Sequence, residues 1–309
     1  MTATGSSLDV VLSTEVATAM DDGVPVVALE STIFSHLGLP SPANLEALER
    51  CESAVRSAGA VPAVTAVLSG VARVGIEPDE RERICGPARK MAERDVPVAL
   101  AMGWDYGATT VSAALALADA AGVAVFATGG IGGVHRGVEL TSDISADLDA
   151  IAGRPLVTVS AGAKAFLDLA RTLEHLETAG VPVLGWQTEH FPAFYTRSSG
   201  LDVPHRVETA GQVARVWASR TRSNQGVLLA VPIPVESELD AERLDATLVQ
   251  ALQDCERAGI TGAAITPFVL GRIAEATDGR SLPANLALAE NNARVAGDVA
   301  AAISAQRSV

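Results

Sequence analysis

Positive charge is scarce in this chain. Against 37 acidic side chains stand 23 Lys and Arg, a formal net charge of −14. A groove for DNA or RNA needs the opposite balance, so a nucleic-acid partner is excluded, whereas a small phosphate ester needs only local donors. Cysteine is nearly absent as well. Cys51, Cys85 and Cys255 are odd in number and widely spaced, with no CxxC pair, which excludes a disulfide framework or a structural zinc site. Aromatics contribute only 4%, so the core is expected to be aliphatic. No apolar run is long enough for a membrane. The most apolar stretch, Val111 to Gly133, is broken by Asp119 and several glycines and reads as a buried helix followed by a buried strand. The start, "MTATGSSLDV", lacks a basic segment followed by an apolar block, so no signal peptide is expected and the cytoplasm is the default location.

What is present is a 309-residue chain that is 48% hydrophobic and 19% charged, the composition of a soluble globular protein. No internal repeat or low-complexity linker divides it, and we expect one domain over 1–309. Apolar runs alternate with helical patterns, the mark of an α/β fold. Buried strands are expected at "PVVALE" (Pro25–Glu30), "VPVALAM" (Val96–Met102), "VAVFAT", "RPLVTVSAG", "VPVLGW" and "QGVLLAVPIP". Helices are expected at Ala43–Gly59, around Pro78–Ala92, through "TTVSAALALADAAG" with Thr109 or Thr110 as its cap, from Asp143, through "RTLEHLETAG" and "ELDAERLDATLVQALQDCERAG", and twice more toward the C-terminus. "VPAVTAVLSGVARVGI" reads as a hairpin turning at Ser69-Gly70. The irregular "TEHFPAFYTRSSGLDVPHR" reads as a surface excursion.

Three features each follow directly on a strand that looks buried: Glu30, the glycine loop "ATGGIGGVHRG" (Ala127–Gly137) and Lys164. In a largely parallel sheet such carboxyl ends share the edge where ligands bind. The loop holds five glycines, which let main-chain N–H groups approach a phosphate closely, or which serve as ordinary flexible connection. It matches neither the Walker A nor the dinucleotide-binding template, so ATP and dinucleotides are not supported. Lys164, among small and apolar residues in "SAGAKAFLD", is either a snorkelling lysine or a desolvated amine able to attack a carbonyl carbon. Asp143, Asp147 and Asp149 suit a helix N-terminus, or a hard divalent ion held by one or two carboxylates plus water. Glu30, ending an apolar strand, suits a proton shuttle with a raised pKa. His135 lacks a partner at metal-ligand spacing.

Together the segments "ALESTIFSH", "GATTVSA", "FATGGIGGVHRG", "DISADL", "SAGAKAFLDL", "FPAFYTR", "TPFVLGRIAE" and "NNA" resemble the pseudouridine-5′-phosphate glycosidase family, which includes the indigoidine-synthesis A proteins. The resemblance runs from about Val26 to Arg294. It implies a three-layer α/β/α fold with a largely parallel or mixed central sheet, a homotrimer, and a divalent metal, usually Mn²⁺. The implied reaction is reversible cleavage of the C–C bond joining uracil to ribose 5-phosphate, through a lysine imine. The resemblance places the catalytic acid on Glu30 and the imine lysine on Lys164. It places substrate contacts on Lys90, Val111, Ser145, Ala146 and Asp147, and the metal on Asp143. The small-molecule partner would be a phosphorylated C-nucleoside, or ribose 5-phosphate plus base. Two alternatives remain open: a C-glycosynthase joining ribose 5-phosphate to an aromatic acceptor, and a non-catalytic phosphosugar-binding protein.

Overall fold

Buried β-branched and small residues organise the molecule. The computed structural model describes residues 8–260 and 265–307. The first seven residues of the start read above as free of a signal peptide lie outside this range. Among the described residues eleven strands join in one sheet. They are β1 (Val11–Leu12), β2 (Val26–Leu29), β3 (Val61–Leu68), β4 (Val71–Val74), β5 (Arg89–Met91), β6 (Tyr106–Thr109), β7 (Val125–Ala127), β8 (Val157–Ser160), β9 (Val183–Trp186), β10 (His205–Val207) and β11 (Val227–Ala230). The main path runs β1-β4-β3-β2-β7-β8-β11-β9-β10, with β6 added to β3 and β5 to β6. From β3 to β10 along this path every neighbour is parallel. Strands β2, β7, β8 and β11 are buried along their whole length, as parallel strands covered on both faces must be. Helices supply that cover on both faces. The Ser281–Arg307 helix packs on β2, β7 and β8, and the Val111–Ala120 helix on β2, β3, β6 and β7. The expected α/β/α layering is present.

β3 does two jobs. Its first half pairs with β2 in parallel, and its second half pairs antiparallel with β4 and β6. The expected hairpin turns at Ser69 and Gly70, both with positive φ (51° and 74°), the geometry of a type I′ turn.

Several expectations fail locally. The helix expected around Pro78–Ala92 is only about two turns, Pro78–Ile84, because Gly86 and Pro87 stop it. Beyond them the chain extends as β5, which carries Lys90. The strand expected at Val96–Met102 is a helix over Val96–Ala101. Pro97 suits a first helical turn, and only Val96 and Ala99 are buried there, at i, i+3 spacing. The helix expected from Asp143 begins at Ala146 instead, capped by Ser145, whose Oγ accepts from Asp147 N at 3.2 Å. β6 and β10 were not anticipated. The Thr188–Arg206 excursion is no surface wrap: Phe191, Phe194 and Tyr195 are buried within it.

Candidate active site

β2, β7 and β8 are immediate neighbours and parallel, so the residues that follow them emerge side by side. Glu30 leaves β2, the glycine loop leaves β7, and Lys164 follows shortly after β8. The segments beyond β7 and β8 continue to pair. Ala161 N donates to Gly129 O (2.9 Å), Ile131 N to Gly162 O (3.1 Å) and Lys164 N to Ile131 O (3.2 Å). The lysine's backbone is thereby fixed to the loop.

Packing explains why that loop is bare. A methyl group at Gly132 would lie 2.2 Å from Ser145 Oγ and 2.8 Å from Asp147 Oδ2, and one at Gly130 would lie 2.4 Å from the Phe194 ring. Hydrogen bonding explains the rest. Gly132 N donates to Asp147 Oδ2 (2.9 Å), Val134 N to Thr172 Oγ1 (3.0 Å) and His135 N to Asp143 O (3.0 Å). With Ile131 N, these loop donors serve the protein and not a phosphate.

Asp147 is 7% exposed, and both its oxygens are held. Oδ1 accepts from Ser112 N at 3.0 Å, in the first turn of the Val111–Ala120 helix, where the positive end of the helix dipole favours an anion. Asp147 thus ties the glycine loop to that helix. Val111 is the first residue of the helix, and its N–H has no intrahelical acceptor there. Ser145 N donates to Gly133 O (3.0 Å), and exposed Ala146 opens the next helix beside it.

Glu30, Lys90, Asp147 and Lys164 act on one another electrostatically. Burial raises the Glu30 carboxyl above the ordinary carboxylate range. The Lys164 charge and a hydrogen bond from Thr128 Oγ1 oppose that rise. Loss of water lowers the Lys90 ammonium, although the residue is exposed overall, and the neighbouring Lys164 charge lowers it further. The four groups sum to zero formal charge. An acid inclined to keep its proton faces two amines, which is the equipment for imine chemistry with proton transfer.

One signal of this site lay in the sequence as a plain count. Lys90 and Lys164 are the only lysines among 309 residues, all other side-chain cations of the Lys/Arg kind being arginine. Thr128, which grips Glu30, had no signal of its own.

Asp143 stands apart from the four charges. It sits at the far end of the glycine loop, its Oδ2 3.8 Å from His135 Nδ1, and its side chain is 39% exposed. No cluster of three or more His, Cys, Asp or Glu suited to a metal occurs among the described residues. One accessible carboxylate fits a hard divalent ion that keeps most of its water, and not an all-protein cage.

Comparison with known proteins agrees with this geometry. The family described as "Indigoidine synthase A like protein" matches residues 15–302. The pseudouridine-5′-phosphate glycosidase of Sorangium cellulosum (strain So ce56) is 50% identical over 297 residues, covering 95% of this chain and 93% of that protein. The protein of the same name from Caldanaerobacter subterraneus subsp. tengcongensis is 49% identical over 294 residues, covering 94% and 95%. Among solved structures, the prealnumycin C-glycosynthase AlnA in complex with ribulose 5-phosphate superposes with a TM-score of 0.90 at 38% identity, covering 98% of this chain and 99% of that one. An indigoidine synthase A-like protein of Thermotoga maritima gives 0.82 at 35% identity, covering 91% and 94%. No helix among the described residues is long and apolar enough to cross a membrane.

Proposed function

This chain belongs to the indigoidine synthase A-like family, and we propose that it performs C–C glycosidic chemistry through an imine on Lys164. It is an enzyme of the pseudouridine-5′-phosphate glycosidase type, breaking and making the bond between uracil and ribose 5-phosphate. One observation carries this reading: the chain's only two lysines, Lys164 beyond β8 and Lys90 on β5, both act electrostatically on the half-buried acid that follows β2.

A C–C glycosidic bond has no leaving oxygen between sugar and base, so protonation there cannot cleave it. An electron-donating nitrogen at C1′ can, because the bonding pair leaves with the base. Lys164 Nζ bonds to C1′ as the ring oxygen departs with a proton from Glu30, and the amine returns a proton to the carboxylate. The nitrogen lone pair then forms C=N as the C1′–base bond breaks, and the base carbon takes the proton that Glu30 received from the amine. Water hydrolyses the imine, freeing ribose 5-phosphate and Lys164. The raised Glu30 pKa supports its role as acid. Lys90 meets the negative phosphate end, and the held backbone around Val111 and Ser145–Asp147 orients the sugar and base. Asp143 would hold a divalent cation such as Mn²⁺, which supplies positive charge toward the phosphorylated substrate. A homotrimer and a cytoplasmic location belong to the same reading.

The superposition on AlnA favours a second reading, in which the same residues join ribose 5-phosphate to a larger aromatic acceptor. Relatives near 50% identity favour uracil. Incubation with ribose 5-phosphate, Mn²⁺ and uracil, followed by chromatography, should yield pseudouridine 5′-phosphate, and chelation should stop it. Product with aromatic acceptors alone would move the assignment to synthase. No product with any acceptor would refute the enzymatic reading.

A further inference from the structure

Beneath Glu30 lies a set of hydroxyls that the chemistry above does not use. Ser31 directly follows Glu30, Thr65 lies on β3 and Thr109 ends β6, and each is fully buried. Thr109 Oγ1 is their hub. It donates to Thr65 O at 2.9 Å, accepts from Ser31 N at 3.1 Å, and lies 3.2 Å from Ser31 Oγ and 2.9 Å from Thr65 Oγ1. Ser31 Oγ in turn accepts from Thr109 N at 2.9 Å, and Thr65 Oγ1 donates to Leu29 O at 3.0 Å. Thr32 Oγ1 closes the set by donating to Thr109 O at 2.7 Å. The backbone is therefore held on both sides of Glu30, at Leu29 and at Ser31 and Thr32.

Thr109 has two further connections. β6 pairs with β5 so that Lys90 lies opposite Ala108 and Met91 opposite Thr109, and Thr110 N donates to Met91 O at 2.9 Å. Thr110 caps the Val111–Ala120 helix, whose Ser112 N holds Asp147. At Thr109 the acid's strand end thus meets the Lys90 strand and the helix whose Ser112 N holds Asp147.

We propose that Thr109 is a positioning residue that sets Glu30 in register with Lys90 and Asp147. It touches no substrate, since it has no exposed surface. Its hydroxyl fixes distances between groups that must act together, and displacement of about 1 Å can cost on the order of 100-fold in rate. The proposal rests on Glu30 handling the proton in the reaction described above.

Thr109→Val keeps the shape and removes the hydroxyl, and Thr109→Ser keeps the hydroxyl. Both are compared with Glu30→Gln, using circular dichroism for folding and steady-state kinetics with ribose 5-phosphate and uracil. Folded Thr109→Val should lose about 10- to 100-fold in kcat with KM near native, and Thr109→Ser should recover most of it. Native kcat in Thr109→Val, a rise in KM alone, or a loss that Ser does not restore overturns the proposal. If Thr109→Val fails to fold, Ser31→Ala decides, because it removes one strut and leaves the hub oxygen. A reduced kcat at native KM in that variant supports positioning, and native kcat overturns it. Normal turnover by Glu30→Gln would remove the reading beneath the proposal, whereas an impaired Glu30→Gln beside a normal Thr109→Val removes the proposal alone.

Discussion

The two ends of the central strands both gather charge, and they treat it differently. Beyond the amino ends of β2 and β3 lies a cleft of about 620 Å³, lined by Thr14, Glu15, Glu52, Arg56, Glu77 and Arg81 among others. There Arg56 pairs with Glu15, Arg81 with Glu52 at 2.5 Å, and Glu77 accepts from Thr14 N at 2.8 Å. Each of these charges has met its partner. At the carboxyl ends of β2, β7 and β8, Glu30 is held by the Thr128 hydroxyl and faces two lysines, and loss of water acts on both Glu30 and Lys90 there. Size of cavity does not mark the chemistry here. Charge held away from water does.

The sharpest way to break this comparison is Glu30→Gln, which keeps shape and hydrogen-bonding reach but removes the exchangeable proton. Turnover should fall by roughly 10²–10⁴, the usual worth of general acid–base catalysis, while the variant stays folded. Its stability should also report the burial. The folded state binds the Glu30 proton more tightly than the unfolded chain, whose ordinary value is 4.5. That contribution is full below the ordinary value and is lost as pH rises through the raised one. Stability of the native protein relative to Glu30→Gln should therefore decline as pH climbs out of the acid range. A difference that stays flat, or that grows with pH, would mean Glu30 is not desolvated.

A smaller effect is expected at Thr128, whose hydroxyl donates to the Glu30 carboxylate. Thr128→Val deletes that donor and should cost about tenfold in kcat, in keeping with a hydrogen bond to a charged group. The smallest belongs to the opposite end. The Arg56 and Glu15 side chains are 47% and 49% exposed, so water screens their attraction. Arg56→Ala should change stability by less than about 1 kcal/mol in thermal or denaturant unfolding and leave kcat at the native value. A large loss of turnover in Arg56→Ala would erase the distinction between the two ends.

Much of this contrast was legible in the chain. Buried apolar runs ending in Glu30, in Ala127 before the loop, and shortly ahead of Lys164 announced a shared sheet edge once the sheet was taken as parallel. The adjacency of β2, β7 and β8 was not legible, because strand order is decided by tertiary pairing between segments about 100 and 30 residues apart. The sequence pattern places Lys90 on a helix because β5 is three residues long, polar and paired only with β6, leaving no period to read. The Ser31–Thr65–Thr109 hub was hidden for the same reason, its members lying 44 and 78 positions apart. The bareness of the glycine loop was visible, but its cause was not. It answers to Ser145, Asp147 and Phe194, which only the fold brings near.

The central claim is that the strand-end charges are a reaction centre built on Lys164, and covalent capture tests it most directly. With only two lysines in the chain, the assignment has few places to go. The protein incubated with ribose 5-phosphate and sodium borohydride, then digested and sequenced by mass spectrometry, should carry the reduced pentose phosphate on Lys164 and leave Lys90 unmodified. Label on Lys90 with Lys164 untouched, or no covalent adduct on a protein that turns over, would contradict the account.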